Sequence, residues 1–271
     1  MRRIGERLRI GIVAKAEFPP ALQASRKILR MLKGENVLLD RRLAEKLGKR
    51  ASSPESFKKC DAVIAVGGDG TVLLAQRLAS GVPVLGVHMA GRGFLADVEP
   101  TDMMRAVKAI VSGQLKVVER ERLAATIKKR KLSDALNDVV VCHADPGRTV
   151  DIKVSVDKGE VLKMKGDGVI VATPTGSTAY AHAAGGPVLD PNSGVMLMVP
   201  VCPTQSNLPA VSVPMESEIE VEVTSPRAAL VNVDGNQVAS LSTGQKLVVR
   251  RSEFPSRFFV WKKSHVKKGR R

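Results

Sequence analysis

The feature that most constrains the fold is a short apolar run that ends abruptly in glycines. Residues 62–66 read Ala-Val-Ile-Ala-Val, and residues 67–71 continue as Gly-Gly-Asp-Gly-Thr before a helical pattern over 72–79. This order predicts a buried parallel strand of an open α/β sheet, which binds ligands where its strands end. Glycines let backbone N–H groups approach phosphate oxygens closely. The predicted phosphate-binding residues are Gly67, Gly68, Gly70 and Thr71.

Asp69 is the unexpected residue in this turn, because a carboxylate repels phosphate. It therefore needs another role, either accepting a proton from a hydroxyl nucleophile or helping to hold a magnesium ion. The alternative is a structural one, in which Asp69 caps the helix that follows.

Strands and helices alternate on both sides of this turn. Strand patterns cover 8–13, 36–39 and 82–87, and helical patterns cover 21–32, 41–47 and 101–111, the last with Thr101 as its expected cap. Alternation of this kind predicts a doubly wound α/β domain, which we assign to residues 1–114. A second glycine-rich loop spans 88–97, and its Phe94 either covers a ligand or fills the core.

The pattern changes after residue 114, where short strands follow one another with few helices. Strand patterns begin at 115–131 and continue to 257–261. They predict a β-sandwich domain over residues 115–271 that includes a basic tail at its end.

A second candidate site lies within this β region. Residues 173–178 read Thr-Pro-Thr-Gly-Ser-Thr and precede Tyr180, the single tyrosine of the chain. Short hydroxyl side chains suit the ribose and adenine of a nucleotide. The alternative is a turn in which those hydroxyls bond the neighbouring backbone.

The composition of the chain indicates which classes of ligand it can bind and in which cellular compartment it is expected. The net charge of +16 suits an anionic ligand, although the basic runs 128–131 and 262–271 are typical of solvated surface. Aromatic residues make up 3% of the chain, too few to favour nucleic-acid stacking. Neither the three cysteines nor the four histidines show metal-ligand spacing, and no apolar run is long enough to span a membrane. We expect a soluble cytoplasmic protein with no membrane partner and no protein metal centre.

The motifs, taken in order, resemble those of the NAD kinase family. They are the turn 67–71, the loop through 91–95, Asn137-Asp138, Asp167-Gly168 with 173–180, and Ala-Gly-Gly-Pro at 184–187. The resemblance implies an amino-terminal α/β domain, a carboxyl-terminal β-sandwich and a homo-oligomer, either a dimer or a tetramer. It also implies phosphorylation of the 2′-hydroxyl of the adenosine ribose of NAD. ATP or inorganic polyphosphate would be the donor, with Mg²⁺ or another divalent metal bound mainly through the donor phosphates.

Family roles transfer to matching positions only. Asp69 matches the catalytic aspartate, and Asp138 stands where glutamate is commoner. His88 replaces a frequent asparagine, and His182-Ala183 replace a usual Leu-Ser pair. The implied NAD-binding residues are Asp69, Gly70, Phe94, Asn137, Asp138, Arg148, Lys165, Asp167, Thr178, Ala179, Tyr180, Ala181, His182, Ala183 and Asn236.

Two alternatives remain open from the residues themselves. Lipid kinases of the diacylglycerol or sphingosine type share the glycine motif, but they predict an apolar acyl pocket that the hydroxyls of 173–178 disfavour. A non-catalytic dinucleotide-binding or nucleic-acid-binding protein would suit the charge, but it leaves Asp69 without a purpose.

Overall fold

The structure, a computed structural model, describes residues 7–89, 93–145, 147–205 and 208–261. The chain divides into two compact units. One comprises the residues up to Glu119 together with those from Ser256 onward, and the other comprises Arg120–Pro255. The basic tail 262–271 and residues 90–92 of the second glycine loop lie outside the described residues.

The first unit is built on a sheet whose central strand is the apolar run before the glycine turn. Every residue of that strand is buried, as expected for a strand covered on both faces. Its strands are β1 (Arg9–Ala14), β2 (Asn36–Leu39), β3 (Ala62–Gly67), β4 (Val84–His88) and β5 (Lys116–Arg120). Its helices are α1 (Pro19–Met31), α2 (Arg41–Lys46), α3 (Pro54–Phe57), α4 (Asp69–Leu78) and α5 (Met103–Val111). Strands β1 to β4 pair in parallel, with β1 between β2 and β3.

Local signals set most of the helix ends, with two differences from the predictions. The Asp40 carboxylate caps α2 by accepting the N–H groups of Arg42 and Leu43. Thr101 does not cap α5, because the N-cap residue of that helix is Asp102. The short helix α3 is not among the predicted helices; Pro54 at its first position suits a helix start.

The second unit is a β-sandwich of two six-stranded antiparallel sheets. One sheet contains β6 (Leu123–Ile127), β7 (Arg130–Lys131), β9 (Val150–Val156), β10 (Gly159–Gly166), β14 (Ile219–Val223) and β17 (Lys246–Arg251). The other contains β8 (Asp138–His143), β11 (Gly168–Ala172), β12 (Val195–Val201), β13 (Val211–Pro214), β15 (Ala229–Val233) and β16 (Asn236–Leu241). After β11 come a 3₁₀ helix (Thr175–Thr178) and α6 (Tyr180–Ala183).

Alternating side chains from both sheets form the main core of this unit. Val150, Ile152 and Val154 of β9 meet Val139 and Val169 of the facing sheet in one apolar cluster. Strand β11 is buried on both faces, because the residues that point away from this core pack with α6 and β12 in a second cluster. The predicted fold class, an α/β domain followed by a β-sandwich, is confirmed.

The last strand, β18 (Ser256–Val260), was assigned from sequence to the β-sandwich domain, but it belongs to the first sheet. Phe258 pairs in parallel with Val84, and the Gln76 side-chain amide of α4 donates a 2.8 Å hydrogen bond to the Arg257 carbonyl. The sheet order is therefore β2-β1-β3-β4-β18-β5. Strand β18 lies far from β4 in the sequence, so only the tertiary structure reveals that the two strands pair.

The predicted strand at 115–131 is three strands. Lys128 and Lys129 have left-handed φ values of 47° and 67°, which make the tight turn between β6 and β7.

In the parts of the chain that the structure describes, no helix combines the length and apolar character needed to cross a bilayer.

Candidate active site

The glycine turn places bare backbone at the start of α4. Gly68 is the N-cap residue, and the positions that side chains would occupy at Gly68 and Gly70 face open space. Gly67 differs, because a β-carbon there would overlap the Thr71 hydroxyl. Thr71 is buried and its N–H donates to the Gly68 carbonyl, so it shapes the turn and does not offer its N–H to a ligand. The first N–H groups of a helix have no intrahelical partner, which leaves those around Gly68 and Gly70 for an anion.

The Asp69 carboxylate joins the two glycine loops. Its Oδ2 accepts the N–H of Phe94 at 2.9 Å, and its Oδ1 accepts the N–H of Leu95 at 3.1 Å. The helix-cap alternative is therefore wrong, since Gly68 holds the cap position. A carboxylate offers about four acceptor positions, so Asp69 retains capacity for a hydroxyl or a cation.

Gly93 lets the second loop approach this carboxylate. A β-carbon at Gly93 would lie 2.8 Å from Asp69 Oδ1 and 3.1 Å from His88 Nδ1. His88 ends β4 opposite Gly67, so the residue that departs from the family pattern stands beside Asp69. Phe94 is 66% exposed, which rules out the core-filling interpretation and leaves its ring available to a ligand.

In the second unit, Asn137 precedes β8 and Asp138 is its first residue. Hydrogen bonds and close packing fix the backbone of this segment. The Asn137 carbonyl accepts the Thr173 N–H at 2.8 Å, and the Leu136 carbonyl accepts the Thr173 hydroxyl at 2.6 Å. Gly176 packs directly on the Asn137 backbone and has no room for a β-carbon. Asp138 is 5% exposed, and its burial, reinforced by the nearby Asp234, raises the pKa of its carboxyl to about 7.

The hydroxyl cluster of residues 173–178 shapes its own turn. Thr173 and Ser177 are fully buried, and the Thr173 hydroxyl also accepts the Gly176 N–H at 2.9 Å. The Ser177 hydroxyl donates to the Pro174 carbonyl and accepts the Leu189 N–H. The predicted alternative of local side-chain-to-backbone bonds is therefore right for these two hydroxyls.

Tyr180 begins α6, and its side chain is half-exposed. Burial raises the pKa of its phenol, and Cys142, Cys202, Asp167 and Asp138 add to the effect in that order. Asp138 pairs with Ala172 at one end of β11, and Asp167 precedes the other end. At about 3.4 Å per residue, the five residues of β11 separate those ends by about 14 Å.

The remaining predicted positions are spread over several elements. Ala181 is buried in an apolar cluster, so only its backbone is available to a ligand. His182 is exposed, with Nδ1 3.4 Å from the Gly186 carbonyl. Arg148 lies in the exposed turn before β9, and Lys165 is exposed on β10 in the other sheet. Three positions complete the group: Thr178 ends the 3₁₀ helix, Ala179 leads into α6 and Ala183 ends it.

Two charged residues that the sequence did not single out as site residues lie in this region: Asp234 beside Asn137 and Asp138, and Arg122 beside Asp234 and Asp134. Asp234 accepts backbone N–H groups from this segment, and the predicted site residue Asn236 donates from Nδ2 to the Asp234 carbonyl at 3.0 Å. Arg122 is 6% exposed and donates to the Asp134 carbonyl at 2.7 Å. An Asp-Gly dipeptide signals a hairpin turn in sequence, but nothing local indicates which segment its carboxylate contacts. Among the described residues, no group of three or more His, Cys, Asp or Glu side chains is arranged to hold a metal ion.

Two family patterns together cover most of the chain. The pattern of the ATP-NAD kinase N-terminal domain matches residues 10–115, and that of the ATP-NAD kinase C-terminal domain matches residues 136–260. The chain belongs to the ATP-NAD kinase family. This membership identifies it as a kinase that acts on NAD, and it confirms the resemblance seen in the ordered motifs. It favours this function over the lipid-kinase and non-catalytic alternatives.

Individual relatives agree with the family assignment. The chain is 32% identical to the NAD kinase of Methanothermobacter thermautotrophicus over 270 residues, covering 97% of this chain and 95% of that protein. It is 35% identical to the NAD kinase of Thermococcus sibiricus over 257 residues, covering 93% of each. A crystal structure of an NAD kinase from Archaeoglobus fulgidus in complex with ATP is similar, with a TM-score of 0.77, 28% identity and coverage of 93% of this chain and 94% of that one. Yeast NADH kinase complexed with NADH shares the fold, with a TM-score of 0.87 at 22% identity and coverage of 96% and 85%.

Proposed function

We propose that this NAD kinase family member transfers the terminal phosphate of ATP, or of inorganic polyphosphate, to the 2′-hydroxyl of the adenosine ribose of NAD. The observation that supports this most directly is the Asp69 carboxylate, held at the start of α4 beside bare backbone at Gly68 and Gly70. The related Archaeoglobus enzyme was crystallised with ATP and the yeast enzyme with NADH, which supports a nucleotide donor and a dinucleotide acceptor.

Asp69 acts as the general base in this proposal. It accepts the proton of the attacking 2′-hydroxyl, while the N–H groups of Phe94 and Leu95 keep its two oxygens oriented. The amino end of α4 binds donor phosphate through backbone N–H groups near Gly68 and Gly70. Phosphoryl transfer requires mainly in-line positioning and charge neutralisation. The backbone N–H groups and the oriented carboxylate would contribute to the positioning.

The second unit supplies the residues that bind the coenzyme. Asn137 and Asp138 bind the ribose and nicotinamide side of NAD, since they are polar, buried and hydrogen-bonded through their backbone to neighbouring turns. Tyr180 offers a half-exposed ring to the dinucleotide, and Asp167 provides an acceptor near the far end of β11.

Magnesium is the proposed cofactor, bound mainly through the donor phosphates. Proteins usually bind Mg²⁺ with one or two carboxylates plus substrate phosphates and water, and Asp69 beside open backbone fits that arrangement. The ion supplies charge neutralisation on the phosphates when bound.

We also propose a cytoplasmic homo-oligomer, either a dimer or a tetramer. Cys60, Cys142 and Cys202 are free thiols, as is usual in a reducing compartment, and Val188 and Phe254 are large apolar side chains more than half exposed. Light scattering after gel filtration measures the oligomer, and a monomer at micromolar concentration would contradict this proposal.

Asp69→Asn tests the catalytic role. It should lower kcat by about a hundredfold or more, the scale of a lost general base, while the fold persists. Asp61→Asn is the matched control, because the Asp61 carboxylate also accepts a backbone N–H, from Arg9 at 2.7 Å, at the other end of β3. It should keep kcat near wild type. Near-normal turnover in Asp69→Asn would refute the role of Asp69 as base.

The donor is tested by following NADP formation from NAD and Mg²⁺ with either ATP or polyphosphate. Product with one donor only assigns the donor. Product with neither, from folded enzyme, would contradict the proposed reaction.

A further inference from the structure

The turn between β15 and β16 hydrogen-bonds to residues 136–138, the segment at the start of β8. Asp234 and Gly235 form this turn with φ values of 46° and 73°, the geometry of a type I′ turn. Asp234 Oδ2 accepts the N–H of Leu136 at 2.8 Å, and Oδ1 accepts those of Asn137 at 2.7 Å and Asp138 at 3.2 Å. The Asp234 N–H donates in return to the Asp138 carbonyl at 3.0 Å. Three successive backbone N–H groups thus converge on one internal anion, as they do in anion-binding nests.

The opposite side of the same segment is held by the hydroxyl-rich turn. Thr173 bonds the carbonyls of Leu136 and Asn137, and Gly176 packs against the Asn137 backbone without space for a β-carbon. The hydroxyl-rich turn therefore holds the carbonyls of Leu136 and Asn137, and the β15–β16 turn holds the three N–H groups and the Asp138 carbonyl. Removing the Asp234 carboxylate would leave buried N–H groups unsatisfied and release one side of this clamp.

The charged groups around Asp138 belong to several elements. Asp234 faces it from the β15–β16 turn, and Tyr180 interacts with it electrostatically from α6. Arg122, before β6, interacts with Asp234 and with Asp134, and these two carboxylates oppose the lowering of the Arg122 pKa by burial. Burial also raises the pKa of Asp234, against its three N–H donors and Arg122.

We propose that Asp234 is a positioning residue for NAD, which fixes Asn137 and Asp138 through their backbone N–H groups. The inference rests on the proposed assignment of Asn137 and Asp138 to coenzyme binding. Asp234 itself does not need to touch the coenzyme in this arrangement. Its Oδ1 lies 3.2 Å from the Asp138 backbone nitrogen, so its charge also acts on the Asp138 carboxyl group.

The sign of the electrostatic effect is determined by the two carboxyl groups. Burial and the Asp234 charge both raise the pKa of Asp138, to about 7, and the ionised form is the one that accepts a ribose hydroxyl. NAD binding should therefore weaken as the pH falls below about 7. Loss of the Asp234 charge removes one of the two causes that raise the Asp138 pKa. The pH at which NAD binding is half-lost should therefore move to a lower value.

Asp234→Asn is the informative variant, because asparagine tolerates left-handed φ and keeps the turn. The KM for NAD should rise about tenfold, the scale of losing a charge-assisted acceptor from buried donors, while kcat changes little. The pH midpoint of kcat/KM for NAD should fall by about half a unit or more, a readout that simple loosening would not shift in this direction.

The chain offers a matched control in Asp157→Asn. Asp157 also has a left-handed φ, 49°, in the turn between β9 and β10, and its carboxylate accepts the Glu218 N–H at 2.9 Å. This control should leave both the KM for NAD and the pH midpoint at wild-type values.

Asn137→Ala separates failure of the inference from failure of the proposed function. If Asn137→Ala raises the KM for NAD but Asp234→Asn leaves KM and pH midpoint unchanged, the positioning role is wrong. If Asn137→Ala also leaves KM unchanged, the assignment of this segment to NAD is wrong, and the inference falls with it. If Asp234→Asn does not fold, Asp234→Gly keeps the left-handed turn and deletes the acceptor. A wild-type KM for NAD in Asp234→Gly would then overturn the proposal.

Discussion

Gly176→Ala tests whether the hydroxyl-rich turn works by holding Asn137. A β-carbon at Gly176 would overlap the Asn137 carbonyl and lie 2.6 Å from Asn137 Cα, so every close contact is with backbone. Backbone cannot rotate aside as a flexible side chain does, and overpacking of this kind costs about 1–3 kcal/mol. The φ of Gly176 is not left-handed, so alanine itself is tolerated and recovers about 0.5 kcal/mol through the unfolded chain.

The net expectation is a loss of about 1.5 kcal/mol in unfolding free energy, or a fall of about 4 °C in Tm for a chain of this size. Because the Asn137 backbone, whose carbonyl accepts the Thr173 N–H, must shift to make room, the KM for NAD should rise while the KM for ATP stays near wild type. Thermal melting by circular dichroism and steady-state kinetics with each substrate varied measure the two effects.

Gly159→Ala is the control for this variant. A β-carbon there would lie 3.4 Å from the Val156 carbonyl, an ordinary contact, so Tm and both KM values should stay close to wild type. A Gly176→Ala enzyme with wild-type Tm and wild-type KM for NAD would refute the clamp and, with it, the structural explanation of residues 173–178.

Two further predictions follow from exposed and buried side chains. Tyr180→Ala should raise the KM for NAD about tenfold or more if its half-exposed ring stacks on the coenzyme, and it should change the KM for ATP little. Tyr180→Phe keeps the ring and should retain wild-type kinetics. Equal increases in the KM values of both substrates would contradict a coenzyme contact. A thiol reagent such as Ellman's reagent at pH 8 should label exposed Cys202 first and Cys60 much more slowly, because burial raises the pKa of the Cys60 thiol to about 11. Peptide mapping of the labelled protein distinguishes them, and rapid labelling of Cys60 would contradict its burial.

Several features were predictable because their signals are local. The run 62–71 specifies a buried strand, a glycine turn and a helix by itself, and α2 begins where Asp40 caps it. The alternating patterns of β9 and β14 likewise predict strands with one buried face. The ordered motifs extended this local information to a family, because their sequence is more specific than any one glycine turn.

Other features depended on contacts between distant parts of the chain. Strand β18 has the pattern of an ordinary strand, and only its pairing with β4 assigns it to the first sheet. The hydroxyls of Thr173 and Ser177 are consistent in sequence with either a ligand or a turn, and burial against backbone carbonyls decided for the turn. Asp69 is consistent in sequence with a helix cap, but its carboxylate bonds a loop 25 residues away.

The sequence by itself determined the elements, their order and the family, because hydrophobic periodicity, turn residues and motif order are properties of neighbouring residues. The tertiary structure decided which groups the carboxylates of Asp69 and Asp234 bind. Asp69 bonds the second glycine loop and Asp234 bonds the segment before β8, and in both cases the partner is a set of backbone N–H groups remote in the chain. Every residue except proline offers such an N–H, so no residue type marks the partner, and only the folded backbone brings donor and acceptor within bonding distance.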